Sequence, residues 1–139
     1  IKNLQQMNPS DSSMLEDLYQ LLVNAGETEE ANKLFETTYK VSKVTIMKFP
    51  NHGQHNNNHA WLLSRCSKKL DEALKYANAA VQLEPKNGAF LDTLAEVHFQ
   101  RGNRIKAIEI SEKAVKLLDG DSQVKRQLER FKNGNPSDR

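Results

Sequence analysis

The feature that most constrains the fold is an internal repeat of 34 residues in the second half of the chain. Ala73 and Leu83 have counterparts 34 positions later, at Ala107 and Leu117. In both copies the apolar residues follow the spacing of one face of an α-helix. A helical unit of this size cannot bury its apolar face alone, so similar units must stack on one another. The period therefore predicts an all-α array.

The segment between the two copies predicts a further helix. Residues 84–88, Glu-Pro-Lys-Asn-Gly, combine a helix stop with a helix start. Leu91, Leu94, Ala95 and His98 then follow at the spacing of one helix face. Each repeat is thus expected to contain two helices.

This period and arrangement resemble the tetratricopeptide repeat family, as a bacterial-type domain within a larger protein. The resemblance implies a right-handed superhelical array of antiparallel helix pairs, a tetratricopeptide solenoid, with a C-terminal capping helix that shields the last repeat. The predicted divisions are the tail of a preceding repeat helix (1–11), a first repeat with an elongated second helix (12–50), a second repeat (51–87), a third repeat (88–121), the capping helix (122–133) and a disordered tail (134–139).

The elongated helix follows from the spacing of two prolines. Pro9 and Pro50 are 41 residues apart instead of 34, and the extra residues continue the apolar pattern without a breaker. Seven residues are about two turns, so the same face is kept and the helix is expected to run to about Lys48 or Phe49. Three apolar residues at its end either pack on the following loop or form a self-association patch that would give a homodimer: Val44, Met47 and Phe49.

Residues 50–58 are the most polar segment and are predicted to be a connector, with helix resuming at Ala60. His52, His55 and His59 fall within eight residues here, which is compatible with a zinc or other transition-metal site. No carboxylate or second thiol lies nearby in sequence to complete such a site. The preferred interpretation is a solvated, asparagine-rich loop, and metal binding is kept as an alternative.

The resemblance also implies a binding groove, because the first helix of each tetratricopeptide repeat lines the concave surface. Counting the family's groove positions through this sequence gives six residues in each repeat. Nine of them are expected to form the peptide groove: Glu16 and Gln20 in the first repeat, Asn57, Asn58, Trp61 and Arg65 in the second, and Asp92, Glu96 and Phe99 in the third.

Chaperone adaptors of the family grip a peptide C-terminus with Lys, Asn and Arg at some of these positions. The equivalent positions here are occupied by Glu16, Asp92, Thr93 and Glu96, so carboxylate binding is not carried over. The amides would suit a peptide backbone, the acids a Lys or Arg of the ligand, and the aromatic residues would be apolar anchors. For Trp61, packing between helices is an equal alternative.

Composition excludes several other classes. The chain has 20 Lys and Arg against 18 Asp and Glu, a formal charge of +2, which gives no reason to expect nucleic acid or anionic lipid as the partner. No apolar run reaches the roughly 18 residues of a membrane span. Cys66 is the only cysteine, so no internal disulfide is possible.

The sequence shows no phosphate-binding glycine loop, nucleophile elbow or paired metal-ligand motif, so neither an enzyme nor a cofactor is expected. The leading hypothesis is a cytoplasmic scaffold that binds an extended peptide or a partner helix in the concave groove of a larger protein. The first alternative is an accessory or oligomerisation domain of a larger enzyme or sensor. The second is metal binding at the histidine segment.

Overall fold

The structure, a computed structural model, describes residues 12–134, with side chains from Glu16 onward. This part of the chain forms seven helices and no strand: α1 (Ser12–Asn24), α2 (Thr28–Lys48), α3 (Gly53–Arg65), α4 (Leu70–Leu83), α5 (Gly88–Gln100), α6 (Arg104–Leu117) and α7 (Ser122–Asn133). The helix tail predicted over residues 1–11 and the last part of the predicted tail, 135–139, lie outside the described residues. None of the seven helices is both long and apolar enough to cross a membrane.

The helices pack as stacked pairs. Each helix contacts its neighbour in sequence, and α3 also lies against both α1 and α5. Alanines on the second helix of each pair, including Ala73, Ala77 and Ala107, are fully buried and let the neighbouring helices approach closely. Larger apolar residues from all the helices complete one continuous core. The predicted all-α solenoid is confirmed.

The second helix, α2, has the predicted extra length. It contains 21 residues and ends at Lys48, whereas α1 contains 13. Near its end Ile46 is buried in the core, while Val44 and Met47 are 51% and 72% exposed. The Phe49 side chain is 56% exposed, although its ring centroid lies 5.7 Å from that of His55. All three side chains are exposed, and the self-association patch and the homodimer stay predictions.

The expected connector over residues 50–58 is wrong for residues 53–58, because α3 already begins at Gly53. Polar side chains make this early start possible. His52 Nδ1 accepts a hydrogen bond from the backbone N–H of His55, at 3.3 Å, as a helix cap does. The buried amide of Asn56 donates to the carbonyl of His52 at 2.9 Å. The polar residues of this segment therefore start a helix instead of interrupting one.

A close contact with α5 also fixes the start of α3. A Cβ atom on Gly53 would lie only 2.8 Å from a ring carbon of Phe90 and 2.7 Å from an Oε atom of Glu84. Only glycine allows the two helices to approach this closely without rearrangement. Tertiary packing thus places the beginning of α3.

Candidate functional site

The predicted groove residues of α5 are covered by the capping helix α7. Glu96 is fully buried, and its carboxylate is paired with Arg130 of α7 and lies 3.8 Å from a guanidinium nitrogen of Arg65 on α3. Gln100 Nε2 donates a further hydrogen bond to it at 3.0 Å. Removal of a buried charge from water is tolerated only with such partners. The Glu96 carboxylate therefore joins α3, α5 and α7.

Asp92, one turn earlier, also binds α7. Gln127 Nε2 donates to Asp92 Oδ1 at 2.5 Å and to its backbone carbonyl at 3.2 Å. Burial, reinforced by the negative charge of Glu96, raises the pKa of Asp92 to about 7 against the hydrogen bond from Gln127. Asp92 thus takes part in the packing between α5 and α7.

Phe99 was expected to be an apolar anchor for a ligand, and the structure corrects this. Its side chain is 1% exposed, and its ring centroid lies 4.7 Å from that of Phe131. The Arg130 guanidinium lies over the same ring, 5.2 Å from the centroid. The physical reason is that α7 fills the position a following repeat would occupy. Phe99 supports that helix and offers no surface to a ligand.

An open pocket remains at the other end of the same surface, between α1 and α3. Its volume is about 290 Å³, and six residues line it: Glu16, Asp17, Gln20, Leu21, Asn24 and Arg65. Three of these, Glu16, Gln20 and Arg65, were predicted for the groove and are brought together here. Leu21 was missed, although it is 65% exposed and is the apolar contribution to the rim. Its place off the buried stripe of α1 was the signal that could have found it.

Glu16 is the buried member of this lining. Its side chain is 6% exposed, and its Oε1 atom has no hydrogen-bond partner among the residues that the structure describes. Burial raises the pKa of Glu16 to about 8, outweighing the opposing effects of the Arg65 charge and of a hydrogen bond from Trp61. At neutral pH the carboxyl is therefore mostly protonated.

Arg65 and Trp61 form the α3 side of the same region. The Arg65 guanidinium lies 5.5 Å from the centroid of the partly buried Trp61 ring and also faces Glu96. The hydrogen bond from Trp61 to Glu16 crosses from α3 to α1. Trp61 thus packs between the helices, which was one of the two alternatives from the sequence, and its role as an anchor for a ligand stays a prediction.

The two predicted groove amides on α3 differ in their hydrogen bonding. Asn57 is buried, and within residues 16–134 its Oδ1 atom has no hydrogen-bond partner. Asn58 is half-buried, and its Oδ1 atom accepts a hydrogen bond from Gln54 at 2.7 Å. Neither residue lines the α1–α3 pocket.

Solved structures with a similar arrangement identify the fold. No family model matches the sequence. The second TPR domain of human RPAP3, solved with an HSP70 peptide, is 18% identical, with a TM-score of 0.57 over 91% of this chain and 99% of that one. The TPR domain of Aspergillus fumigatus Sgt2 is 20% identical, with a TM-score of 0.56 over 88% and 77%. The Yersinia enterocolitica chaperone SycD, solved with a peptide of the translocator YopD, is 17% identical, with a TM-score of 0.53 over 94% and 97%.

The chain has a tetratricopeptide-like fold. In it, α1, α3 and α5 are the first helices of successive pairs, and these are the helices that carry the nine predicted groove residues. The α1–α3 pocket therefore lies on the helices from which the resemblance predicts binding. The comparisons confirm the fold at identities too low to transfer a binding activity.

The tetratricopeptide-like domain also contains a buried polar cluster, which includes one of the three histidines. His59 is fully buried, with Nδ1 2.7 Å from Ser42 Oγ and Nε2 3.1 Å from Glu72 Oε2. Lys43 Nζ and Tyr39 Oη donate to the other Glu72 oxygen at 2.8 and 3.1 Å. Glu72 of α4 thereby holds α2 and α3, and Lys43 belongs to the elongated part of α2.

The protonation states of the cluster follow from these contacts. Burial opposes ionisation of Glu72, but the hydrogen bonds from Lys43, His59 and Tyr39 together outweigh it and lower the pKa of Glu72 to about 2. Burial lowers the pKa of His59 more than Glu72 raises it, so the imidazole is neutral. Nε2 then donates to the ionised carboxylate, and Nδ1 accepts from the Ser42 hydroxyl.

This cluster explains why the histidines do not form a common site. Both ring nitrogens of His59 are engaged in the core, whereas the rings of His52 and His55 lie tilted against each other near the surface, 4.1 Å between centroids. Across the described part of the chain, no group of three or more His, Cys, Asp or Glu side chains is placed to hold a metal ion. The solvated loop preferred from the sequence is also wrong for His59, since this residue is a buried link between helices.

Proposed function

We propose that the chain is a protein-interaction module that binds an extended peptide segment of another protein across α1 and α3. The observation that carries the proposal is the open pocket of about 290 Å³ between these two helices. The corresponding face of α5 is occupied by α7, so ligand contacts are assigned to the α1–α3 end. Peptide complexes of RPAP3 and SycD, which share the fold, support this class of function.

The pocket has the mixed chemistry that suits a peptide. Leu21 supplies exposed apolar surface, and Gln20 Nε2 donates to Asn24 Oδ1 at 3.1 Å along the rim. Amides can bond both the N–H and the C=O groups of an extended backbone. The proposal includes no catalytic role for the acids, because Asp92 and Glu96 are used in helix packing.

A selection from random peptides tests the proposal. The purified chain would be screened against a phage-displayed library of random twelve-residue peptides, and enriched peptides would be synthesised. Their affinity would be measured from the fluorescence of Trp61, which is the only tryptophan and lies beside the pocket. Leu21→Arg places a charged side chain on the rim and is expected to abolish binding. Ile105→Arg makes the same change at a residue 82% exposed on α6 and is the matched control.

Two results would reject this function. One is a screen that enriches no peptide at the folded chain. The other is a set of enriched peptides whose affinity is the same for the wild type, Leu21→Arg and Ile105→Arg, since that would place their binding elsewhere on the surface.

A further inference from the structure

A row of four lysine side chains lies over aromatic rings on α2, α4 and the turn before α4. Each ammonium nitrogen is 5.0 to 5.3 Å from the centroid of its nearest ring, as in a cation–π contact. None of the four lines the α1–α3 pocket. The contacts of this lysine row are Lys68 with Phe35, Lys69 with Tyr39, and Lys43 and Lys75 with Tyr76.

Only one charge of the lysine row is compensated. Lys43 Nζ donates to Glu72 Oε1 at 2.8 Å. The two oxygens of Glu72 also accept from Tyr39 and His59, so three donors already share this carboxylate. The other three lysines of the row form no ion pair with any acid in residues 16–134. The row therefore presents uncompensated positive charge.

The turn that carries two of these lysines has a backbone that disfavours lysine. In the corresponding turn before α6, Asn103 caps the helix by accepting the N–H of Lys106 at 3.2 Å. Lys69 is the equivalent residue before α4, but it makes no side-chain cap and has a left-handed backbone with φ 50°, as has Ser67. Both features weaken the start of α4. Such strain is found most often where the side chain that it positions has a function.

We propose that the lysine row binds an acidic segment of a partner protein, one with at least two Asp or Glu side chains. Carboxylates would accept charge-assisted hydrogen bonds from the ammonium groups. Because the rings already hold the lysines in place, binding costs less side-chain entropy than it would at freely solvated lysines. This surface lies on the second helices of the pairs, and the inference does not depend on the proposed function.

The shape of the row favours an extended acidic segment over a nucleic acid. Alternate side chains of an extended peptide are about 6.7 Å apart. The stacked rings of Phe35 and Tyr39 are separated by a similar 5.8 Å, so successive acids can follow the row. Single-stranded nucleic acids bind through exposed rings on which bases stack. Here Phe35 is buried, and Tyr39 and Tyr76 are half-buried beneath the lysines.

An acidic model peptide tests the inference. The probe is a fluorescein-labelled peptide in which Glu alternates with Ser, about twelve residues long and thus roughly 40 Å when extended. The same peptide with Gln in place of Glu is the neutral control. Fluorescence anisotropy measures the affinity of the full chain at low ionic strength. We expect binding of the acidic peptide only, with an affinity that falls as salt is added.

Removal of two charges from the row gives the decisive comparison. Lys69→Asn with Lys75→Gln is expected to weaken binding roughly fivefold, the effect of two exposed ion pairs. Lys113→Gln with Lys116→Gln removes the same charge from exposed positions on α6 and should leave the affinity nearly unchanged. Asparagine tolerates a left-handed backbone and caps helices, so Lys69→Asn alone should raise the melting temperature while it weakens binding.

Four results would overturn the inference. The first is a wild type that does not prefer the acidic peptide to the neutral one. The second is an equal loss of affinity in both double variants, since binding would then follow net charge alone. The third is loss of binding in Leu21→Arg, which would place the acidic peptide in the α1–α3 pocket. The fourth is tighter binding of a poly(U) oligonucleotide that the variant of the row loses, which would assign the row to nucleic acid.

Discussion

The buried carboxyl of Glu16 should make the protein less stable as the pH rises, and Glu16→Gln should remove this loss. The side chain is 6% exposed, so folding transfers it almost completely out of water. The pKa of Glu16 is raised from 4.5 to about 8, and the folded state therefore holds the proton over a range in which the unfolded chain has lost it. Stability falls with pH wherever the folded state binds more protons.

The magnitude follows from the two pKa values. Below pH 4.5 both states are protonated and the group has no effect. At pH 7 the unfolded chain has gained the free energy of ionisation while the folded chain remains mostly neutral, which corresponds to a loss of about 3 kcal/mol. Glutamine is close to the neutral carboxyl in size and does not ionise. Glu16→Gln should thus be about 3 kcal/mol more stable than the wild type at pH 7 and nearly equal to it at pH 4.

Urea unfolding followed by circular dichroism measures both free energies. Asp92, whose pKa is raised to about 7, is present in both proteins and cancels in the difference. Asp17→Asn is the matched control, because this neighbouring side chain is exposed and should change stability little at either pH. A difference between Glu16→Gln and the wild type that is the same at pH 4 and pH 7 would refute the reasoning.

Three further predictions concern the rest of the fold. Glu72→Gln should lower the free energy of unfolding by about 2–3 kcal/mol at pH 7 but little at pH 2. The pKa of Glu72 is lowered to about 2, so the stabilisation from its ionised form is lost as the pH falls from 4.5 towards that value. Equal effects in urea unfolding at both pH values would contradict this. Met47→Glu should convert a dimer to a monomer in light scattering, whereas Ile105→Glu should not; a monomeric wild type would exclude the patch as an interface. Gly53→Ala should lower the free energy of unfolding by about 1–3 kcal/mol, because the new Cβ atom would lie 2.8 Å from the Phe90 ring. Thermal unfolding measures this, and a more stable variant would show that the ring can move.

The parts of the fold that could be predicted are those determined by local pattern. Residues Leu70–Leu83 form the helix that the apolar and alanine spacing predicts, and Ser122–Asn133 form the predicted capping helix. The extra length of α2 was predicted too, because seven residues preserve the buried face of a helix. In each case the residues that determine the helix lie within about two helical turns of one another in the sequence.

The start of α3 could not be predicted because its causes lie in side-chain contacts that the local composition does not reveal. Asparagine and histidine favour loops and caps when averaged over many proteins. Here His52 caps the helix, Asn56 bonds back to a carbonyl, and Gly53 fits against Phe90 from a helix more than thirty residues away. Composition alone therefore predicted a loop where residues 53–58 form the start of a helix.

The sequence predicted which helices carry the groove residues, but not which of those residues remain uncovered by other helices. The positions counted from the repeat do bring Glu16, Gln20 and Arg65 to one pocket. They also select Asp92 and Phe99, which the next helix of the array covers. A position count cannot distinguish a residue that faces ligand from one that faces the following helix, since both lie on the first helix of a repeat.

Buried charge pairs join the first helices of the array to the capping helix. Across α3, α5 and α7 the side chains alternate in sign, so that Arg65 and Arg130 both meet the buried Glu96. On α1, Glu16 lies beside Arg65, whose charge lowers the pKa of the carboxyl, but burial outweighs this charge and the carboxyl keeps its proton at neutral pH. The row of alternating charges therefore ends on a neutral group, which α1 can bury without an ion pair of its own.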